Sequence, residues 1–561
     1  MRTARFIGGL TTVVLALSLA GGLFTQWIQF ALGLAGSTVP AALFLWLVFG
    51  VNLTVWFLIG LVRAGDDGAR SLARRRRIAA ARQPSAVTGA SRIRQRAVPA
   101  TGAERTSGAP RVPTPTLGYA RGSAPGGTGG DDVHTPSTAL ALARAAGDVG
   151  LGHSPAVDDT RAAPADTRAE RRTPAAAGPD EADAAPARIA VVIPAHNEEP
   201  VIGAAVRSAL RLFHRWDIYV VSDSSRDATA DIAADTGVNV LELLTNRGKA
   251  GALEAVISEF DLVNNYDAVV ILDADTELDE HYLQGVRRQM EDPRVAAVAG
   301  LVVAEWKPWE RTLLGRLISA YRDRLYVMLQ YLMRFGQTWR HTSTTFIVPG
   351  FASAYRTRVL REVDINPKGL VIEDFNMTFE VHRRRLGRIS MAPNARAVCQ
   401  DPFTLGDYVR QVRRWTLGFW QTVRLHGIWP SLFWFALLCY LVEVMFVSVV
   451  LLSAAALAVF TALPLVVGDV VLEVGAYASV YESVTAVLPL PVLLVGLLVP
   501  DYVLTCVLAA LRRRPSYLIY GLFFLPLRLI DSYLILRTLP QAWRARSDGR
   551  WNSPGRKAAR L

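Results

Sequence analysis

The sequence predicts an α/β domain with parallel strands, inserted between N-terminal and C-terminal transmembrane helices. Three observations carry that expectation. Apolar residues make up 51% of the 561-residue chain and crowd into blocks at its two ends. From residue 189, short apolar runs alternate with stretches of helical periodicity, the pattern of strand–helix units around a parallel sheet. Polar and acidic residues close three of those runs: His196, Asn197 and Glu198, then Asp223, then Asp273 and Asp275.

The first apolar block, residues 6–35, has only Gln26 and Gln29 as strongly polar interruptions, and residues 39–62 hold just Asn52 and a few hydroxyls. Both are long enough to span a bilayer. A cleaved signal peptide does not fit, because the first block is too long and a second follows at once. The two read as a helical hairpin over residues 1–63. Arg63 and the run from Arg74 to Arg77 put the next segment on the cytoplasmic side. Residues 64–187 are rich in Ala, Arg, Pro, Gly, Thr and Asp, with Tyr119 nearly alone as an aromatic. Such a composition buries too little apolar area to offset chain entropy, so a disordered cytoplasmic linker is expected.

The α/β domain is expected over residues 188–403. Its strands read as IAVVIP (189–194), IYVVSD (218–223), VNVLELL (238–244) and AVVILD (268–273), with helices over 198–212, 228–236 and 248–260. In such sheets ligands bind beyond the carboxyl ends of the strands. Three strand ends therefore deliver polar or acidic groups to one edge. The stretch DADTELDEHYLQ (273–284) is not an EF-hand loop, since Leu278 stands where the turn needs Gly and Gln284 where a bidentate Glu belongs. Glu277, Asp279 and Glu280 read as solvated carboxylates at a helix N-terminus. Asp273 and Asp275 are left over. Two carboxylates at a strand end suit Mg²⁺ or Mn²⁺, with positions open for diphosphate oxygens.

Several stretches together resemble the inverting family 2 glycosyltransferases of the membrane-embedded polysaccharide synthase type (the cellulose, chitin, hyaluronan and poly-N-acetylglucosamine synthases). These are VVIPAHNEE, VVSDSSRDAT, NRGKAGALEA, DADTELD, PGFASAYRTRVLREV, VIEDFNMTFEVHRRRLG and QVRRWTLGFWQ. Two departures stand out: Ser222 replaces the first Asp of its motif, and Ile372 stands where Thr is usual. The resemblance covers residues 189–425 and implies a GT-A-like (Rossmann-like) cytoplasmic domain. It implies a membrane-bound transferase passing a sugar, N-acetylglucosamine first among candidates, from a UDP-sugar to a growing polysaccharide. Transfer would be processive and coupled to export, with room for accessory export proteins. The alternatives are transfer of one sugar to a lipid or lipid-linked acceptor, or an inactive scaffold or transporter.

The resemblance also implies roles. Asp374, with Glu373 beside it, supplies the base; the same pair also reads as the opening of a helix. Asp275 is the main metal ligand, and Asp273 touches the ribose or a metal-bound water. Asp223 faces the uracil or ribose, Lys249 the uracil or diphosphate, and Glu198 is a further donor-side candidate. Gln411, Arg414 and Trp415 form Q-x-x-R-W on an amphipathic interfacial helix over 404–428. Arg414 would meet the departing diphosphate, while Gln411 and Trp415 face the acceptor sugar.

Apolar blocks at 431–463, 485–511 and 516–539 make a C-terminal transmembrane region over 429–540, followed by a basic tail, 541–561. Three simple spans would leave that tail outside, against the positive-inside tendency. Pro526, Arg528 and Asp531 make the last block a poor simple span: either it is re-entrant, or a further span lies near 465–481. The net charge of +12 gathers at membrane edges, which points to the lipid bilayer as partner and away from nucleic acid. Cys399, Cys439 and Cys506 have no disulfide or zinc spacing. The reading is a multi-pass plasma-membrane protein with its α/β domain in the cytoplasm.

Overall fold

A computed structural model describes residues 11–23, 25–26, 29, 50–81 and 187–545. Eight strands form one sheet: β1 (Ile189–Ala195), β2 (Ile218–Asp223), β3 (Asn239–Leu243), β4 (Ala268–Leu272), β5 (Thr276–Leu278), β6 (Val295–Ala304), β7 (Ala352–Arg356) and β8 (Arg388–Cys399). Their order is β3-β2-β1-β4-β7-β6-β8-β5.

The central strands are apolar throughout because both faces are covered. In β1, Ile189, Val191, Ile193 and Ala195 point into one core, with Ile202, Val206 and Ala209 of the Glu199–Leu210 helix. Ala190 and Val192 point into the other, with Ala252, Leu253 and Val256 of the Gly248–Glu259 helix. Period-2 alternation thus separates two buried faces rather than a wet and a dry one.

The expected parallel sheet is corrected. Strands β3, β2, β1 and β4 are parallel, but β7 runs antiparallel to β4 and to β6. Strand β8 is parallel to β6, and β5 antiparallel to β8. The sheet is mixed. This reversal matters for the site: Leu272, the last residue of β4, pairs with Ala352, the first of β7. The chain entering β7 therefore arrives beside the carboxyl end of β4, and Asp273 N–H donates to the Phe351 carbonyl at 2.9 Å.

The expected insertion between N-terminal and C-terminal transmembrane helices is also corrected. Among the described residues two helices are long and apolar enough to cross a membrane, Leu432–Val467 and Leu490–Arg512, and both lie near the C-terminus. The segments Ser516–Phe523 and Leu525–Ala542 meet at 49°, a broken span or a re-entrant loop. At the N-terminal end, Thr11–Leu23 is apolar but short. The Val51–Ala81 helix is apolar only to residue 62, and Arg63 then turns inward to the carbonyls of Phe335 and Met391. The rest of the expected hairpin, the linker from 82 to 186 and the tail from 546 lie outside the described residues.

Two helices link the sheet to the apolar segments. Leu405–His426 follows β8, with Thr404 as its N-cap accepting from Asp407 N–H at 3.1 Å and Gly427 closing it at φ 63°. Leu313–Val327 runs into a π-helix, Met328–Arg334.

Candidate active site

Lys249 is the hub. It stands in the first turn of the Gly248–Glu259 helix and projects across the carboxyl ends of the strands. Its Nζ lies 2.7 Å from Asp273 Oδ1 and 2.9 Å from Glu373 Oε1, and it donates to the Gly350 carbonyl at 3.2 Å. Burial alone would lower its pKa, but Asp273 and Glu373 hold it well above the ordinary lysine value.

Glu373 and Asp374 open the Glu373–Arg383 helix. Asp374 Oδ2 accepts from Gly350 N–H at 3.2 Å and Oδ1 from Phe375 N–H at 2.7 Å, so backbone groups fix its direction. Burial, then the neighbouring Glu373 charge, pushes Asp374 up to about 7. Burial also works against Glu373, yet Lys249, helped by the charge of Arg414, keeps it below the usual carboxylate range. Two adjacent carboxyls are thereby separated, one firmly ionised and one poised near neutrality. Arg414 itself is exposed on the Leu405–His426 helix.

Asp273 is raised by burial first, with Lys249 opposing and the Asp275 charge adding to the rise. Asp275 Oδ1 accepts from the Thr276 hydroxyl at 3.1 Å and from Cys399 Sγ at 3.9 Å. Among the described residues no cluster of three or more His, Cys, Asp or Glu side chains forms a complete metal cage.

Other expected residues sit differently. Asp223 is fully buried, and its two oxygens accept from Arg247 N–H (2.7 Å) and Gly248 N–H (2.8 Å). It anchors the turn that launches Lys249. Glu198, buried, stands at the N-terminus of the Glu199–Leu210 helix, where its N–H donates to the Thr229 hydroxyl at 2.8 Å. Gln411 and Trp415 meet Arg322: Gln411 accepts from its guanidinium, and the Trp415 ring lies 4.7 Å from it. Arg322 also pairs with Asp401 at 2.9 Å. Neither Arg322 nor Asp401 falls in a motif, and no spacing marks them. Gly350 could have been suspected from the quoted PGF stretch.

Residues 268–470 match the family described as "Glycosyl transferase family group 2". A probable glycosyltransferase, YdaM, of Bacillus subtilis (strain 168) is 29% identical over 249 residues, 41% of this chain and 55% of that protein. The poly-beta-1,6-N-acetyl-D-glucosamine synthase of Staphylococcus aureus (strain COL) is 26% identical over 238 residues, covering 41% and 54%. The chain thus spans about half the length of these curated relatives. Among solved structures, the mannosyltransferase PcManGT from Pyrobaculum calidifontis, in complex with GDP-Man and Mn²⁺, is 19% identical. That match covers 57% of this chain and 89% of the other, with a TM-score of 0.35. Residues 268–470 thus resemble a family 2 glycosyltransferase domain, and the chain is similar to proteins named as a glycosyltransferase and a polysaccharide synthase.

Proposed function

We propose that the protein is a membrane-bound inverting transferase that passes one sugar from a UDP-sugar to a lipid or lipid-linked acceptor. The observation that carries this is the Lys249 bridge. It joins the acidic strand end at Asp273 to Glu373, beside an Asp374 carboxyl poised near neutrality. A cation-seeking edge and a proton acceptor share one site, as displacement at a sugar C1 requires.

In this reading the acceptor hydroxyl gives its proton to Asp374 as its oxygen forms a bond to C1. The bond from C1 to the diphosphate breaks on the opposite face, and UDP leaves with the electron pair. Arg414, whose charge already reaches Glu373, balances the diphosphate. The donor set fits a divalent cation: Asp273 and Asp275 are hard oxygen donors, and the Lys249 ammonium already occupies a cation position against Asp273. Mg²⁺ or Mn²⁺ would be held there and, when bound, would supply positive charge to the diphosphate. Asp223 acts by fixing the Arg247–Gly248 turn. The catalytic domain spans 188–403 and faces the cytoplasm, with 404–428 as an interfacial helix.

Single transfer is favoured because Gln411 and Trp415, the expected acceptor-chain residues, are engaged by Arg322. The second reading is processive synthesis of a polysaccharide, with N-acetylglucosamine as the sugar. Q-x-x-R-W just ahead of the apolar helices supports it, as does likeness to a poly-beta-1,6-N-acetyl-D-glucosamine synthase. Purified full-length protein with Mg²⁺, bacterial lipid extract and radiolabelled UDP-N-acetylglucosamine or UDP-glucose should yield lipid-extractable product bearing one sugar. Product of high molecular mass would select the processive reading. Absence of turnover with every UDP-sugar would reject both.

A further inference from the structure

Four arginines distant in sequence line one open cavity of about 600 Å³: Arg294, Arg340, Arg358 and Arg388. Strands β6 and β8 begin beside it. Because β7 runs antiparallel to both β4 and β6, this is the edge of the sheet opposite to Asp273. Arg294 precedes β6, Arg340 follows the Phe335–Gln337 turn, Arg358 lies on the short Thr357–Leu360 helix, and Arg388 opens β8. Four separate elements therefore bring one kind of side chain to one place. A solvated basic face on a single helix needs no such convergence.

The arginines hold one another in position. Arg388 N–H donates to the Arg294 carbonyl at 2.8 Å, and Arg388 Nη1 to the Arg340 carbonyl at 3.1 Å. Arg358 donates to the Leu386 and Pro293 carbonyls, each at 3.0 Å. Gly387 permits this close approach: its φ is 143°, and a Cβ there would lie 2.7 Å from the Arg294 carbonyl oxygen. Two carboxylates answer the four cations. Asp292 accepts from Arg388 and, at 3.3 Å, from Arg294 Nε; Asp66 accepts from Arg340 at 3.1 Å. Glu291, next to Asp292 in the chain, pairs with Arg74 at 3.1 Å. Among the described residues Arg358 donates to carbonyls and makes no ion pair.

Guanidiniums gathered in this way repel one another, and two carboxylates against four cations leave the cavity positive. Each guanidinium uses only part of its five N–H donors on the contacts above. What remains is a set of planar forks suited to phosphate oxygens, already held in place by backbone carbonyls. The other walls, Pro293, Leu386 and Gly387, offer no aromatic ring for a base and no side chain that could bond a sugar hydroxyl. We propose that this cavity is a second anion site, at the opposite sheet edge from Lys249, which takes a phosphate-bearing ligand through its oxyanions alone. A diphosphate would match the charge left over. The proposal goes beyond the transferase reading and does not depend on it.

The test uses full-length protein in detergent with EDTA. Inorganic pyrophosphate and dioctanoyl phosphatidic acid are titrated separately by calorimetry into wild type, the double variant Arg294→Gln with Arg358→Gln, Arg294→Gln alone, and Arg414→Gln. Wild type should bind at least one probe. The double variant should bind it at least about tenfold more weakly, a loss of ~1.4 kcal/mol. Arg294→Gln alone should weaken binding by less, and Arg414→Gln, on the donor side of the proposed active site, should leave it unchanged. Tighter or equal binding of pyrophosphate assigns a soluble ligand; tighter binding of phosphatidic acid assigns a lipid head group. The Arg294 side chain is 75% exposed, so its replacement leaves the core intact. If the double variant does not fold, the single variant decides the matter. Absence of binding of either probe by wild type, or undiminished binding in the folded Arg294 and Arg358 variants, overturns the proposal. Loss of binding in Arg414→Gln alone would put the anion in the donor site and overturn it as well.

Discussion

Asp374 shows how burial and one neighbour prepare a carboxyl for proton transfer. Its carboxyl is pushed up to about 7, by burial first and the ionised Glu373 second. The native state therefore holds this proton more tightly than the unfolded chain does. The sign follows: stability falls as pH climbs from the ordinary carboxylate range towards 7, because ionising Asp374 costs more in the fold. Activity runs the other way, since only the ionised form accepts a proton. Wild-type kcat/KM should rise with pH through about 7. Asp374→Asn should cut kcat by about 10³-fold, within the range for a general base, and leave UDP affinity unchanged. It should also flatten the pH dependence of the denaturant midpoint. Ordinary turnover in the variant, or a wild-type rate indifferent to pH across neutrality, removes the assignment. At this scale the sequence was readable in part. The spacing of Asp273 and Asp275 at a strand end pointed to cation chemistry, but the Lys249 bridge did not show. Lys249 and Gly350 are 101 residues apart, and only the reversal of β7 brings them together.

Elements set the aim of those residues. The Glu373–Arg383 helix begins just after Ile372, and Ile372 packs against Gly418 of the Leu405–His426 helix. A Cβ on Gly418 would lie 2.9 Å from both Cβ and Cγ1 of Ile372, atoms too near the backbone to swing aside. Isoleucine where the family pattern has threonine thus goes with a glycine opposite it. Gly418→Val should displace Glu373 and Asp374 together, and a shift of about 1 Å at a reacting group costs on the order of 10²-fold in rate. Steady-state assays should show a fall in kcat larger than any rise in the KM for UDP-sugar. Full activity in Gly418→Val would mean that the two helices are not held in register by this contact. The strands β1, β2, β3 and β4 were legible because two-sided burial writes them as apolar runs. Strand direction leaves no such trace, so the mixed order beyond β4 was invisible. The apolar count likewise overstated the N-terminal end: among the described residues no helix there is long and apolar enough to cross a membrane.

Across the whole molecule, one turn of the Leu313–Val327 helix ties the catalytic domain to the apolar helices. Arg322, Asp323 and Arg324 are consecutive and all buried. Arg322 pairs with Asp401, just beyond β8. Asp323 accepts from Arg512 Nε and from the Tyr517 hydroxyl, each at 2.9 Å, with Arg514 3.6 Å away. Arg324 reaches Asp501 at 2.7 Å, and Arg528 shares that carboxylate at 2.9 Å. Composition had suggested that basic residues at the apolar edges answer to lipid head groups; these four, Arg324, Arg512, Arg514 and Arg528, answer to two buried carboxylates. Removing one partner of such a group leaves charge stranded in a dry place, which is worse than never having had the pair. Asp323→Asn should therefore lower stability in detergent by about 3 kcal/mol, since Arg512 and Arg514 both lose their counterion. The site at Lys249 lies on other elements, so Mg²⁺–UDP affinity measured below the transition should hold. Acceptor-dependent transfer should fall, because the same turn carries Arg322, which joins Asp401 beyond β8 to Gln411 and Trp415 of the Leu405–His426 helix. An unshifted unfolding midpoint would show that water or lipid already screens this cluster. A loss of UDP affinity equal to the loss of transfer would show that the helix serves the donor side as much as the acceptor side.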